Sequence, residues 1–253
     1  MSDIIAAYNG SFEGFLSLIF DLYKRKVFPN KICGKGEPVD LFSKSMESYV
    51  SDENATRVLK GIIDKSNKRT AKFIYEIFLS EQDGIEMKLL HLIRYIFDGQ
   101  GYRISDFSDP IIVDLHRVKK MVGREVHRMH AFVRFQETKD NMWACEINPD
   151  FNVMPLIGKH FKDRYPAMEW VIFDTVRQYG IHFAGSKIEY ITFEGDIIEK
   201  RISDESTTDA EKSYQSMWKQ YFKSVNIKER NNEKLHQQHV PKRYWKYLIE
   251  KQN

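Results

Sequence analysis

Histidines and arginines are concentrated between residues 122 and 135, where the chain reads VGREVHRMHAFVRF. Histidine can exchange a proton near neutral pH, and arginine offers a charged fork of donors that suits a phosphate. On a helix, the basic side chains of residues 115–130 fall within one arc of roughly 120°, opposite an apolar stripe. Such a face is either a solvated helix surface or a phosphate-binding surface. In the second case the residues that bind nucleic acid are Arg117, Lys120, Arg124 and Arg128, with Arg134 on the strand that follows.

A second basic segment runs from Trp218 to Asn253, with nine lysines and arginines against three glutamates. Here aromatic rings alternate with cations, which is what unpaired bases require for stacking and charge. The same rings could instead dock this segment on the core. The candidate binding residues are Lys242, Arg243 and Trp245, and Arg164 joins them as a groove-lining residue one helical turn after His160.

Four side chains are candidates for the acid–base catalysis that a lesion-removing glycosylase or a hydrolase needs: His127, Asp150, His160 and Asp174. The cations next to His127 favour its neutral form, which can accept a proton. Asp150 has a structural alternative, because Asn148-Pro149-Asp150 is typical of a turn. The sequence does not place the four groups together, so it leaves open whether the chain is an enzyme.

No metal site and no cofactor are predicted. His127 and His130 point about 60° apart on a helix, and no His-Glu-x-x-His arrangement occurs. The two cysteines, Cys33 and Cys145, are far apart and suit a reducing compartment. Glycine-rich nucleotide loops and nucleophile elbows are also missing from the sequence.

The pattern of elements that must position these residues is mixed. DIIAAY predicts one early strand, and residues 43–97 follow a helical pattern with breaks. Asp109-Pro110 predicts the start of a long helix that runs to about Met129. Two pairs of strands are predicted next, MHAFVRFQE with NMWACEIN around a turn at 139–141, and EWVIFDTV with GIHFAGSKIEYITF. A helix at 155–165 and a short helix in KRYWKYLI complete the pattern, together with a helix that begins at a capping box of Thr208 and Glu211. That helix places six residues on one stripe: Tyr214, Met217, Trp218, Tyr221, Phe222 and Val225.

We therefore predict an α+β fold with a helical N-terminal half, a mostly antiparallel sheet in the second half and C-terminal helices packed on it. The 253 residues, 42% of them hydrophobic, suffice for one domain spanning 1–253, with a subdivision into 1–100 and 108–253 as the alternative. The N-terminus lacks the features of a signal peptide, and no apolar run has membrane-spanning length. These features predict a cytoplasmic protein without a membrane partner.

Several segments resemble one bacterial family in the same order along the chain. They are YNGSFEGFL at 8–16, REVHRMHAFVRFQE at 124–137, INPDFNVMPLIGKHFKDRYP at 147–166, and MWKQYFKSVNIKERNN with PKRYWKYL near the end. The family is that of the "probable DNA metabolism proteins", a domain of unknown function linked to radical-SAM proteins and in some members fused to a uracil-DNA-glycosylase-like domain. The resemblance implies a role in DNA modification or repair beside a radical-SAM partner, and it carries over no catalytic residue. Two cysteines cannot supply a three-cysteine cluster site, so that partner would be a separate chain.

Three hypotheses follow from these observations. The first is a protein that binds DNA and acts with a radical-SAM partner. The second is a DNA-processing enzyme, a glycosylase or a hydrolase, that uses His127 with a carboxylate. The third is a scaffold that binds the radical-SAM protein alone.

Overall fold

The computed structural model describes residues 4–34, 44–139, 141–192, 207–225 and 237–251. The chain divides into two compact units, residues 1–122 and 123–253, and the boundary lies inside a long helix. That boundary differs from the one considered near residues 98–108, and the organisation as one domain or two stays a prediction.

The first unit contains a parallel sheet of three short strands, β1 (Ile4–Ala7), β2 (Lys31–Cys33) and β3 (Lys44–Glu47), in the order β2-β1-β3. The sequence predicted only β1, and it assigned residues 43–47 to a helix, which is wrong for 44–47. The reason is physical: β3 is four residues long and has a single buried apolar residue, Met46, so it shows no alternation. Residues 35–43 lie outside the described part of the chain.

Four helices accompany this sheet: α1 (Phe12–Arg25), α2 (Asp52–Lys65), α3 (Lys68–Phe78) and α4 (Ile85–Phe97). The predicted cap at Ser11 is confirmed, because its hydroxyl accepts the N–H of Gly14 at 2.9 Å. A 3₁₀ turn, Gly101–Ser105, follows α4. The helical pattern predicted up to residue 97 is confirmed from residue 52 onward.

The long helix α5 (Pro110–Phe132) begins as predicted, with the Asp109 carboxylate accepting the N–H of Ile111 at 2.9 Å. It continues past the predicted end at Met129, so most of the expected strand MHAFVRFQE is wrong. The buried stripe of α5 extends through Met129, which is 1% exposed, and this packing holds the last turn helical. Only Gln136–Glu137 forms a strand, β4.

The sheet of the second unit has the order β4-β5-β6-β7-β8, in which β5 is Trp143–Ile147, β6 Trp170–Asp174, β7 Tyr179–Ala184 and β8 Lys187–Thr192. Three of its four pairings are antiparallel, as predicted. β5 and β6 are parallel, and α6 (Met154–Arg164) lies between them in sequence. A Cβ on Gly158 of α6 would meet Ile181 of β7 at 3.2 Å, so glycine permits a close approach there.

The C-terminal part contains α7 (Asp209–Val225) and two 3₁₀ turns, Lys242–Tyr247 and Ile249–Lys251, the first of which replaces the predicted short helix. The capping box is confirmed at its hydroxyl, since Thr208 accepts the N–H of Glu211 at 3.1 Å. Residues 193–206, which precede α7, lie outside the described residues, as does Asp140 of the predicted turn. In the part of the chain that the structure describes, no helix is long and apolar enough to cross a membrane.

Candidate nucleic-acid interface

The second unit contains an open cleft of about 740 Å³ between α7 and the segment around β4 and β5. Six of the residues that line it carry aromatic rings. Two others, Arg134 and Glu211, are charged, and the rest are mostly apolar. The aromatic residues are Phe135, Trp143, Tyr165, Tyr214, Trp218 and Tyr221.

The α7 wall of the cleft is an exposed apolar stripe. Tyr214, Met217, Trp218 and Tyr221 follow helical spacing and therefore share one face. Their exposed fractions of 67%, 56%, 42% and 55% show that this face is not docked on the core. The sequence predicted this stripe. The side chains of its other two members, Phe222 and Val225, lie outside the described part of the chain.

The opposite wall is better packed. The ring of Phe135 meets that of Tyr165 edge-on at 5.5 Å and lies 5.8 Å from Trp170, which is fully buried. Trp143 of β5 is partly exposed beside them. A packed aromatic wall and an exposed one thus line the same cleft, and a flat ring of a ligand could stack between them.

The polar groups of the cleft centre on Glu250. Its carboxylate accepts from the Arg134 guanidinium at 3.2 Å and from the Trp218 indole N–H at 3.0 Å. Burial acts to raise the pKa of Glu250, but its backbone hydrogen bond, Trp218 and Arg134 together leave that pKa below its ordinary value. Glu250 is therefore a carboxylate held in its charged form at the cleft.

A second carboxylate, Glu125, forms a buried cluster on α5. Its side chain is 1% exposed and accepts from four groups: the Tyr244 hydroxyl, the backbone N–H of Asp150 (3.0 Å), Arg243 (2.8 Å) and Arg128 (3.5 Å). Burial, and next the hydrogen bond to Glu125, raise the pKa of the Tyr244 hydroxyl. Glu125 was not among the site residues predicted from the sequence.

A signal for Glu125 was present. It lies three residues after Val122 and four before Met129, so it shares the buried stripe of α5 with them. A lone acid on an apolar stripe indicates a buried carboxylate that needs donors.

The predicted basic residues of α5 are found in different surroundings. Arg117 pairs with Asp114, Lys120 and Arg124 are exposed, and Arg128 turns to Glu125. His116, predicted on the same face, instead hydrogen-bonds the Ile104 carbonyl at 2.8 Å and is half-buried. Arg117 and Lys120 belong to the first unit. Arg124 and Arg128 belong to the second.

The remaining candidate binding residues lie near the C-terminus and on α6. Arg243 pairs with Glu125 and, at 2.5 Å, with Asp150. Trp245 donates to the Val240 carbonyl at 3.0 Å, and the Lys242 ammonium lies 5.9 Å from its ring. Arg164 is exposed at the end of α6. Arg243 and Trp245 thus help to hold the C-terminal segment in place.

The candidate acid–base groups form two separate sets among the described residues. His160 stacks on His130, with ring centroids 3.9 Å apart, and burial, followed by the charges of His160 and His127, lowers the pKa of His130. His127 itself is exposed on α5. In the described part of the chain, no hydrogen bond or ion pair is found between either candidate histidine and a carboxylate.

The two candidate aspartates lie at one pair of turns. Asp174 is fully buried and accepts from the backbone N–H of Val176 and from Arg177, whose guanidinium also donates to the carbonyls of Pro149 and Asp150. This arrangement is what a structural turn requires. A catalytic role for His127, Asp150, His160 and Asp174 stays a prediction.

Within the described residues, no group of three or more histidines, cysteines, aspartates or glutamates is placed to hold a metal ion. A family model described as "Domain of unknown function (DUF4130)" matches residues 83–250. The YNGSFEGFL segment lies outside that match. No curated protein matches the chain.

Proposed function

We propose that this chain, which belongs to the DUF4130 family, binds unpaired nucleic acid in the aromatic cleft of its second unit. The observation that carries the proposal is the set of six aromatic residues around a cleft of about 740 Å³. Cavities of roughly 300–1,000 Å³ are typical of sites that enclose a ligand. Aromatic walls favour a ligand with flat faces, as a base has.

The exposure of the α7 wall supports binding rather than a structural role. Tyr214, Trp218 and Tyr221 keep about half of their surface in water, which is unfavourable unless a ligand covers it. Stacking of a base on such a ring contributes about 1–3 kcal/mol and tolerates any sequence. We therefore expect affinity for single strands with little sequence preference.

Arg134 lines the cleft and gives it a cationic donor that suits a phosphate. Because a paired base has its faces covered by its neighbours, an unpaired strand, a loop or an extruded nucleotide fits the site better than intact duplex.

The first prediction is that Trp218→Ala with Tyr221→Ala weakens binding of a single strand by about ten- to a hundredfold, as expected from the loss of one or two stacked bases. Affinity is measured by fluorescence anisotropy with labelled single- and double-stranded DNA and RNA at low salt and across a salt series. Tyr190→Ala is the matched control, because Tyr190 is 62% exposed on β8 and does not line the cleft.

If wild type bound none of these probes at low salt, the proposal would be wrong. Equal losses in the cleft double variant and in Tyr190→Ala would also contradict it, since an exposed ring anywhere would then have the same effect.

The proposal extends to the cellular setting that the family resemblance implies, DNA modification or repair beside a radical-SAM protein. The resemblance alone supports this part. A purified radical-SAM protein from the same organism should be retained by the chain, and nuclease treatment separates a bridge through DNA from direct contact. Retention after nuclease treatment, with no affinity of the chain for any strand, would favour the scaffold hypothesis instead.

A further inference from the structure

The surroundings of Arg134 suggest a specific ligand for one part of the cleft. One terminal nitrogen of its guanidinium donates to the carbonyls of Ala131 (2.7 Å) and Val133 (3.2 Å). These bonds fix the plane of the guanidinium at the end of α5. The other terminal nitrogen is directed to the Glu250 carboxylate at 3.2 Å. An arginine that is fixed in this way, with its second terminal nitrogen directed to a carboxylate, is preorganised for an anion.

The second donor to the Glu250 carboxylate, Trp218, also lines the cleft. The Trp218 indole N–H reaches the other oxygen of the Glu250 carboxylate at 3.0 Å. Arg134 and Trp218 both line the cleft, and 31% of the Arg134 side chain remains exposed, against 7% of that of Glu250. Two converging donors, one charged, thus hold a single anion beside aromatic rings.

We propose that Arg134 and the Trp218 indole form a phosphate subsite of the cleft, which the Glu250 carboxylate occupies until a phosphodiester of a bound strand displaces it. This inference rests on the proposed function. A phosphodiester offers the same negative charge and the same pair of terminal oxygens as a carboxylate, so both donors are satisfied before and after the exchange. The exchange leaves no buried donor unpaired, which would otherwise be costly.

The tether explains how Glu250 regulates affinity. A side chain on the same chain competes at a high effective concentration without adding any contact to the ligand. The fraction of molecules with an empty subsite is then small, and the apparent affinity falls by that fraction. Ile249 is 7% exposed and Leu248 2%, so the neighbouring backbone is anchored and the proposed exchange moves the Glu250 side chain.

The competing explanation is that Glu250 only staples the C-terminal turn to α7. In that case removing its charge would not change the affinity for a strand, or would change it only through the net charge of the protein. The two explanations therefore differ in the response to a neutral substitution at this position.

The test compares wild type, Glu250→Gln, Arg134→Ala with Glu250→Gln, and Glu189→Gln, a control that removes an equal charge from an exposed position of β8. Two labelled single strands of about fifteen nucleotides serve as probes: one with ordinary phosphodiesters and one whose backbone is neutral methylphosphonate. Melting temperatures confirm that each variant is folded.

We expect Glu250→Gln to bind the phosphodiester strand about three- to tenfold more tightly than wild type, because the tethered competitor is removed. We expect no gain for the neutral strand, no gain in the double variant, and a smaller effect in Glu189→Gln. An unchanged or weakened affinity in Glu250→Gln, or equal gains in Glu250→Gln and Glu189→Gln, would overturn the subsite.

The neutral strand separates the two proposals. If wild type binds both probes and loses both with Trp218→Ala while Glu250→Gln has no effect, the cleft binds bases and the phosphate subsite is wrong. If neither probe binds to any variant, the proposed function fails and the subsite fails with it.

Discussion

The second unit holds two buried carboxylates against arginines, and the two differ in the number and placement of their donors. Glu125 is enclosed by four donors, and its side chain is 1% exposed. Glu250 has two donors, and both of them also line the cleft. The first arrangement fixes the fold, whereas the second can exchange one anion for another.

The difference teaches how to separate structural from binding charges in this unit. An ion pair enclosed on all sides stabilises only if every partner stays in place, since an uncompensated buried charge costs several kcal/mol. The Glu250 side chain is also mostly buried, at 7% exposed, but its two donors line the cleft and can therefore meet a ligand there. Arg243 and Arg128, predicted to bind nucleic acid, contact Glu125 and thus belong to the first class by geometry.

The largest effect is expected from Glu125→Gln. The substitution leaves Arg243 and Arg128 facing a neutral amide and places an N–H₂ group among donors, so we predict a loss of about 3–5 kcal/mol in the free energy of unfolding. Urea unfolding followed by circular dichroism measures it. Asp163→Asn is the control, because its exposed pair with Lys159 should contribute about 0–1 kcal/mol. Similar losses of unfolding free energy in the two variants would show that the Glu125 cluster stabilises the fold no more than an exposed ion pair does.

A smaller effect is expected from Glu250→Gln on stability, about 1–3 kcal/mol at neutral pH, because Glu250 has two donors instead of four and the Arg134 side chain is 31% exposed. The pKa of Glu250 in the fold lies below its ordinary value of 4.5, so its contribution is complete above that value and is lost as the pH falls through the lower folded value. The variant should therefore lose stability less steeply than wild type below about pH 4.5. Thermal unfolding between neutral and acidic pH checks this, and an acid limb identical to that of wild type would contradict the charged pair.

Much of the framework could be predicted from the sequence because it depends on local patterns. The start of α5, the cap at Ser11, the Thr208 cap and the aromatic stripe of α7 all follow from spacing along a few turns. The short strands β2 and β3 could not be predicted, since three or four residues carry no period. Parallel pairing also joins segments whose distance along the chain gives no local signal.

The candidate site was predictable only in part. The sequence pointed to aromatics and cations near the C-terminus, and the cleft does contain Trp218 and Tyr221. It could not reveal that Glu250 meets Arg134, because 116 positions separate them. It also could not reveal that Arg243 pairs with Glu125, 118 positions away, and a role of Arg243 in binding nucleic acid stays a prediction.

The most direct test of the central claim is to map where a strand lies on the protein. A single strand that carries bromodeoxyuridine is bound at low salt and irradiated, and the cross-linked peptides are identified by mass spectrometry. We predict cross-links at Tyr214, Trp218 and Tyr221 of α7, which Trp218→Ala with Tyr221→Ala should largely abolish. Cross-links confined to the exposed part of α5 around Arg124 and His127, with none on α7, would contradict the account.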